Sequence, residues 1–295
     1  MMTTQAIIVG AERAASTPSR TARQRPNVLG GLAATLWLIF AIVPVYYVVI
    51  TSFKTQKGFF SENALLPPSH PTLDNYGLVL ASGFTTYFLN SVIVTIGTVV
   101  LTVAFALGAA YAIVRGSRSN PWLRRAFSFI LVGLAIPLQA VIIPVYLMII
   151  RAGLYDSLVA LILPSVAFAL PLTIIILVNF LRDIPGELYE AMRVDGAGDW
   201  RTLTTLVVPL ARPALTTVAV YNGLNVWNGF IFPLVLTQSP DKRVLPLALW
   251  TFQGEFTTNV PAVLAAVVLS TLPIVVVYIF GRRQLLAGLT AGVGK

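Results

Sequence analysis

The chain has 295 residues, 57% hydrophobic and 11% charged, with a formal net charge of +9 and a mean hydropathy of +0.83. Soluble domains carry about 25% charged residues, so the composition excludes a soluble globular protein and places the chain in the membrane class. There is no cysteine, which excludes disulfides and thiolate metal sites, and the single histidine, His70, cannot supply the roughly four ligands of a closed zinc site.

Residues 1–27 are polar, rich in Ser, Thr, Ala and Arg, and predict a disordered tail rather than a cleaved leader. Six apolar runs then follow, each long enough to cross a bilayer as a helix of about 20 residues. They are Val28–Ile50 (within a first transmembrane helix over 28–52), Tyr87–Val114, Ala126–Ile150, Leu158–Leu181, Ala214–Leu236 and Pro261–Phe280. Residues 53–84 form a loop between the first two. A transmembrane domain covers 85–281, interrupted by a charged loop at 182–213, and residues 282–295 form a C-terminal tail. The prediction is an all-α membrane protein with six transmembrane helices. None of the six runs contains Asp, Glu, Lys, Arg or His, so the chain lacks the ionisable groups inside the membrane that proton relays and ion-coupled carriers use.

The basic residues set an orientation. Arg13, Arg20, Arg23, Arg25, Arg115, Arg118, Arg124, Arg125, Arg182, Arg193, Arg201, Arg212, Arg282, Arg283 and Lys295 fall on one side; only Lys54, Lys57, Arg151, Lys242 and Arg243 fall on the other. Basic loops stay cytoplasmic, so both termini are predicted to be cytoplasmic, in a bacterial plasma (inner) membrane. The positive charge is therefore a topology signal; with no basic face on a soluble domain, nucleic acid is not a predicted partner.

The segment GELYEAMRVDGAGDWRTLTTLVVPLARPAL, Gly186–Leu215, lies between the fourth and fifth runs. Pro185 suits a helix start, and Leu188, Ala191 and Met192 share one helical face. Gly196 can break that helix with a positive φ. Asp199 can cap a second helix running toward Val208, with Pro209 and Pro213 marking the turn into span five. An interfacial helix on lipid is one reading of this pattern, but such helices carry many Lys and Arg. The acidic character here suits a protein partner.

EAMRVDGAGDWRTLTTLVVPLARP resembles the signature loop of ABC importer permeases, in which E-A-A-x-x-D-G-A precedes a leucine- and proline-rich tail. Glu190, Ala191, Asp195, Gly196, Ala197, Trp200, Pro209 and Pro213 occupy the matching positions. Met192 stands where the family most often has a second alanine, and Gly198 where it often has serine. PTLDNY (71–76), FLNSVIVT (88–95), IPLQAVIIP (136–144), WNGF (227–230) and GLTAGVGK (288–295) resemble the MalG-like half of the carbohydrate-uptake permeases; in WNGF, Gly229 replaces a commonly acidic residue. The resemblance implies a type I ABC importer permease fold. It also implies that Glu190, Ala191, Met192, Asp195, Gly196, Ala197, Trp200 and Pro209 couple the chain to an ATP-binding subunit. The expected partners are a second permease subunit, two ATP-binding subunits and an external substrate-binding protein. ATP and Mg belong to the partner ATPase, because the chain has no G-x-x-x-x-G-K-[ST] string and its only Gly-Lys pair is Gly294-Lys295; no cofactor and no enzymatic activity are expected of this chain.

For the substrate path the candidates are Asn222, Asn225 and Asn228, spaced by three on span five, with Trp227 beside them and Gln139 in span three. Neutral amides and aromatics suit hydroxyl-rich ligands such as sugars; the same amides can serve as helix–helix contacts. The expected function is a permease subunit of an ATP-driven sugar importer. The alternatives are glycerol phosphate or polyamine as cargo, an ion-coupled carrier and a non-transporting scaffold.

The topology reading makes a direct prediction. Reporter fusions near Phe59 and Gln253 read external and those at Gly116 and Gly198 read cytoplasmic; an external signal at Gly198 overturns the assignment of the charged loop.

Overall fold

The computed structural model describes residues 28–116, 120–249 and 258–290, with side chains to residue 279. The predicted tail over residues 1–27, Arg118, Gln253 and residues 291–295 lie outside the described residues. Helix α1, Val28–Ser52, contains Pro44, and the chain divides there into a unit ending at Pro44 and a main body that begins at Val45.

The segment read as a loop at 53–84 is folded. It holds α2 (Gln56–Ser61) and α3 (Asp74–Ala81). Thr55 caps α2 by accepting from the Gly58 amide at 3.0 Å. Lys54 is 1% exposed; its Nζ donates to the Asn63 carbonyl at 2.6 Å and lies 3.9 Å from Glu62. A buried ammonium requires such partners. The buried amide of Asn75 donates to the Ser52 and Lys54 carbonyls, both at 2.8 Å. These bonds satisfy carbonyls at and just past the C-terminal end of α1, where the helix offers no partner.

Helix α4, Phe84–Gly116, has 33 residues. It is followed by α5 (Pro121–Val132), a 3-10 turn at Gly133–Ala135 and α6 (Leu138–Arg151). Span three is therefore not one straight helix: the two halves meet at 107°. The cause is Pro137. A residue before proline is driven out of the helical region, and Ile136 sits at φ −83°, ψ 111°.

Helix α7, Leu158–Arg182, is continuous through Pro164 and Pro171. After α8 (Gly186–Val194), α9 (Asp199–Thr202) passes through a π turn at Leu203–Val207 into α10 (Val208–Trp227). Together α9, the π turn and α10 form one 29-residue apolar span, Asp199–Trp227. This corrects two expectations for span five. Pro209 and Pro213 lie within the helix rather than at a turn into it; the wide π turn directly before Pro209 relieves the clash of its ring with the carbonyl four residues back. The helix also stops at Trp227, short of Leu236, and α11 (Ile231–Leu236) starts separately after Gly229. A 3-10 turn at Pro240–Lys242, α12 (Leu245–Ala248) and α13 (Val260–Thr290) complete the order, so the last helix runs past the predicted end at Phe280. Five helices are long and apolar enough to cross a membrane among the described residues, and six spans result when the bent α5–α6 pair counts as one. The chain is a multi-pass membrane protein.

The central seam is α4 against α7. Small groups allow the approach: Ala106, Ala110 and Ala160 are fully buried, and a Cβ on Gly97 would sit 3.0 Å from Ile162 Cδ1. Membrane helices associate through such small residues because lipid offers no hydrophobic drive between them. At one end, Leu177, Leu181, Tyr189, Val207 and Ala211 join α7, α8, the π turn and α10 in a core with α4. At the other, the segment after α11 is tied to the bundle by side chains that hold backbone. Asn90 donates to the Asp241 and Arg243 carbonyls, both at 2.8 Å, and Ser91 Oγ accepts from the Leu245 amide at 2.8 Å.

Asp156 completes this tie. Its φ is +59°, a conformation aspartate tolerates better than most residues. Its amide donates to the Leu236 carbonyl at 3.0 Å, and its carboxylate accepts from the amides of Gln238 at 2.8 Å and Ser239 at 3.0 Å and from the Ser239 hydroxyl. The Ser239 hydroxyl, with those two amides, holds the carboxyl below its ordinary range. A depressed folded value stabilises the charged clamp. Its contribution is complete above the unfolded carboxylate value, about 3.9, and is lost as pH falls through the lower folded value. Hydrogen exchange at Gln238 and Ser239, corrected for intrinsic rate, is therefore expected to accelerate as pH drops below about 4; Asp156→Asn should exchange fast at neutral pH and lose that dependence.

Candidate functional site

Helix α8 ends in a six-to-one and five-to-two pair of backbone bonds: Ala197 N–H to the Met192 carbonyl at 2.9 Å and Gly196 N–H to the Arg193 carbonyl at 3.0 Å. This is a Schellman turn, which places its closing residue in the left-handed region, and Gly196 has φ +73°. The glycine break expected from the sequence is where α8 stops. The expected cap differs: Gly198, at φ −73°, ψ 170°, is the residue before α9, and Asp199 is its first helical residue. The Asp199 carboxylate instead accepts from the Tyr111 hydroxyl of α4 at 3.0 Å.

The exposed surface of this helix-turn-helix is mixed apolar and acidic. Leu188 and Ala191 are exposed with Glu187, Glu190 and Asp195; Val194 is 88% and Trp200 77% exposed. Met192 is half-buried, as is Ala197, and Pro209 is exposed further along. The face that α8 turns into the bundle is carried by Tyr189, only 3% exposed, which the sequence pattern did not single out. An aromatic with one polar tip on a short charged helix is the available signal. The Arg115 guanidinium lies 4.7 Å above its ring, a stacking geometry arginine favours. Burial pushes the Tyr189 hydroxyl above its ordinary value, with the Arg115 charge pulling the other way.

Between α4, α6, α7, α10 and the chain after α10 lies a cavity of about 430 Å³. Asn222, Asn225 and Trp227 line it; Gln139 does not, although its neighbour Leu138 does, and Asn228 lines a separate space of about 270 Å³ beside α13. Asn222 is buried and donates to Thr173 Oγ1 of α7 at 2.9 Å. The other two asparagines donate backward to their own helix, Asn225 to the Tyr221 carbonyl and Asn228 to the Leu224 carbonyl, each at 2.8 Å, leaving their amide oxygens available. Trp227 donates to the Ser270 carbonyl at 3.2 Å and meets Phe88 edge to face. The sequence reading missed Ser165 and Phe168 of α7, Tyr221 and the Phe230–Phe232 pair; Leu161, Ser165, Phe168 and Leu172 recur at helical spacing and so share one wall. No charged side chain lines the cavity among the described residues. Its walls offer amides, hydroxyls and aromatic faces, a set that bonds and covers uncharged polar ligands.

Comparison with known proteins places this geometry. Residues 102–285 match the family of binding-protein-dependent transport system inner membrane components. An ABC transporter permease protein from Caldicellulosiruptor is 42% identical over 260 residues, covering 88% of this chain and 94% of the relative. The diacetylchitobiose uptake system permease protein NgcG of Streptomyces coelicolor is 35% identical over 260 residues, covering 87% and 85%. A chain in the crystal structure of a bacterial ABC transporter that imports the acidic polysaccharide alginate superposes with a TM-score of 0.77 at 26% identity, covering 90% of this chain and 98% of that one. The helix-turn-helix after α7, the helical architecture and these matches agree: the chain belongs to the binding-protein-dependent transport system inner membrane components, the permease subunits of ABC importers.

Proposed function

We propose that the chain is one half of the translocation path of an ATP-driven sugar importer in the bacterial inner membrane, with both termini cytoplasmic. In this reading it works with a second permease subunit, two ATP-binding subunits that carry ATP and Mg, and an external substrate-binding protein. The observation that carries the reading is mechanical: the exposed α8–α9 element is locked by the Gly196 turn and continues without a break through α10 to the cavity wall. Glu190, Ala191, Met192, Asp195, Gly196, Ala197 and Trp200 form the docking element for an ATP-binding subunit. Pro209 sits just beyond the π turn, where the element becomes the span. A rigid-body shift of a docked element would be transmitted along α10, as in other interface-driven transitions.

The uncharged cavity supports a neutral sugar over the acidic polysaccharide of the superposed importer, and over glycerol phosphate or a polyamine. A charged cargo would call for a countercharge in the wall, and none is present among the described lining residues. Asn225 and Trp227 are the substrate-facing candidates, with Gln139 and Asn228 outside the cavity lining. Asn222 combines a cavity position with a bond between α7 and α10.

Two measurements test these roles. Gly196→Val forces a β-branched residue into a left-handed turn at a cost of roughly 1–3 kcal/mol, and Glu190→Ala removes an exposed charge available for cross-interface pairing. Both variants should insert in the membrane but lose either co-purification of the ATP-binding subunit or sugar uptake; normal assembly together with normal uptake in both would sink the coupling role. In the cavity, Asn225→Ala should change uptake selectivity with assembly kept. Asn222→Ala should lower thermal stability by roughly 0.6–1.7 kcal/mol, the range for interhelical hydrogen bonds in membranes. Unchanged transport and ligand-stimulated ATP hydrolysis in Asn225→Ala would assign that residue to packing alone.

A further inference from the structure

A second pocket, about 200 Å³, lies under the turn, between the last turns of α4 and the α8–α9 junction. Two guanidiniums line it, from Arg115 and Arg193, with the carboxylate of Asp199 as the single countercharge. That carboxylate is already engaged by the Tyr111 hydroxyl. Neither arginine is in an ion pair among the described residues. The Arg115 guanidinium lies 4.7 Å from the Tyr189 ring centroid, and a cation held over a ring face keeps N–H donors to offer a ligand. The fourth feature is Tyr189 itself: it lines the pocket, is 97% buried by its 3% exposure, and its hydroxyl has no hydrogen-bond partner. A buried hydroxyl left unpaired costs about 1–3 kcal/mol, so a resident group that accepts its hydrogen bond is called for.

The depth of the pocket narrows the choice. Helix α4 has 33 residues, about 50 Å at about 1.5 Å per residue, against a hydrocarbon core of about 30 Å. Its ends must therefore pass through the headgroup layers, and Tyr111 and Arg115 lie in its last two turns. A surplus of one positive charge, free guanidinium donors and an unpaired hydroxyl at that depth match a phosphodiester. We propose that this pocket binds the headgroup phosphate of an anionic phospholipid, from the leaflet on the α8 side, which is the cytoplasmic leaflet under the orientation proposed above. Arg115 and Arg193 hold the phosphate oxygens and Tyr189 donates its hydroxyl to one of them. The lipid would thereby fasten the foot of the α8–α9 element to the end of α4.

The test uses the assembled transporter, delipidated in detergent, without ATP. Binding of phosphatidylglycerol and of phosphatidylcholine is followed by native mass spectrometry, with inorganic phosphate and glycerol 3-phosphate as soluble competitors. Phosphatidylglycerol should bind in preference to phosphatidylcholine and resist both competitors. Each arginine near an anionic headgroup contributes about a fivefold factor, so Arg115→Gln combined with Arg193→Gln should weaken binding about twenty-five-fold. Tyr189→Phe should weaken it about three- to tenfold, and Arg124→Gln, outside the pocket, should leave it unchanged. Full binding by the double variant, or an equal loss with Arg124→Gln, overturns the site. No loss with Tyr189→Phe overturns the assigned hydroxyl bond, and displacement by inorganic phosphate overturns the lipid in favour of a soluble ion. Because binding is read without ATP, failure of the coupling role at Gly196 would leave this result standing; a reporter placing Gly116 outside would reassign the leaflet and not the site.

Discussion

Close approach of α4 to α7 is the constraint on which the rest of the protein depends. In lipid, apolar side chains gain little by leaving one hydrocarbon environment for another, so helices hold together by fit. Gly97, Ala106, Ala110 and Ala160 remove bulk at the seam. With that seam fixed, α10 can lean on both helices, and Asn222 finds Thr173 across the gap. The cavity lies among the three, bounded also by Leu138 of α6 and by the chain after Gly229. Each break leaves backbone groups that lipid could not satisfy; the chain after Gly229 lines the cavity, and at the α5–α6 break Gly133 lies against Pro171 while Leu134–Pro137 are exposed.

The two ends of the bundle solve different problems with related devices. At the end carrying α2, α3 and α12, irregular chain is fixed by side chains that reach backbone: Asn75, Asn90, Ser91 and Asp156 each hold a carbonyl or an amide that has no helical partner. The result is a folded cap over a region that reads as loop. At the α8 end the fixing groups are aromatic and cationic. Tyr189 is buried against the core, Arg115 covers its ring, and Tyr111 engages Asp199. The outer face of α8 and α9 is left exposed and carries both acidic and large apolar groups, a combination that suits docking to a protein better than contact with lipid tails.

The π turn links that exposed face to the cavity. Its five residues, Leu203–Val207, widen the helix just where Pro209 would otherwise collide with the preceding turn. Thr204 and Thr205 each return a hydroxyl bond to a carbonyl one turn back, at 2.9 Å and 2.6 Å. The outcome is a single helix in place of a loop followed by a span, so displacement at Trp200 and displacement at Asn222 are mechanically connected.

The sequence by itself determined what depends on solvent and on local chain geometry. Long uncharged apolar runs favour membrane helices, and a glycine between two short helix-forming stretches favours a turn, so the apolar runs, the family loop and the positive φ at Gly196 were legible. Tertiary structure decided everything that depends on which side of a helix meets a neighbour. Periodicity placed Asn222, Asn225 and Asn228 together, but only the packing of α7 buried the first and left the others facing open space. Pro137 and Pro209 look alike in sequence; one breaks a span at 107° because its predecessor is extended, and the other is absorbed by a π turn. Arg115 is far in the chain from Tyr189 and Asp199, and nothing in the segment that holds those two points to it. Their juxtaposition exists only because α8 folds back onto the end of α4, a contact set by side-chain volume and not by any local preference of the residues involved.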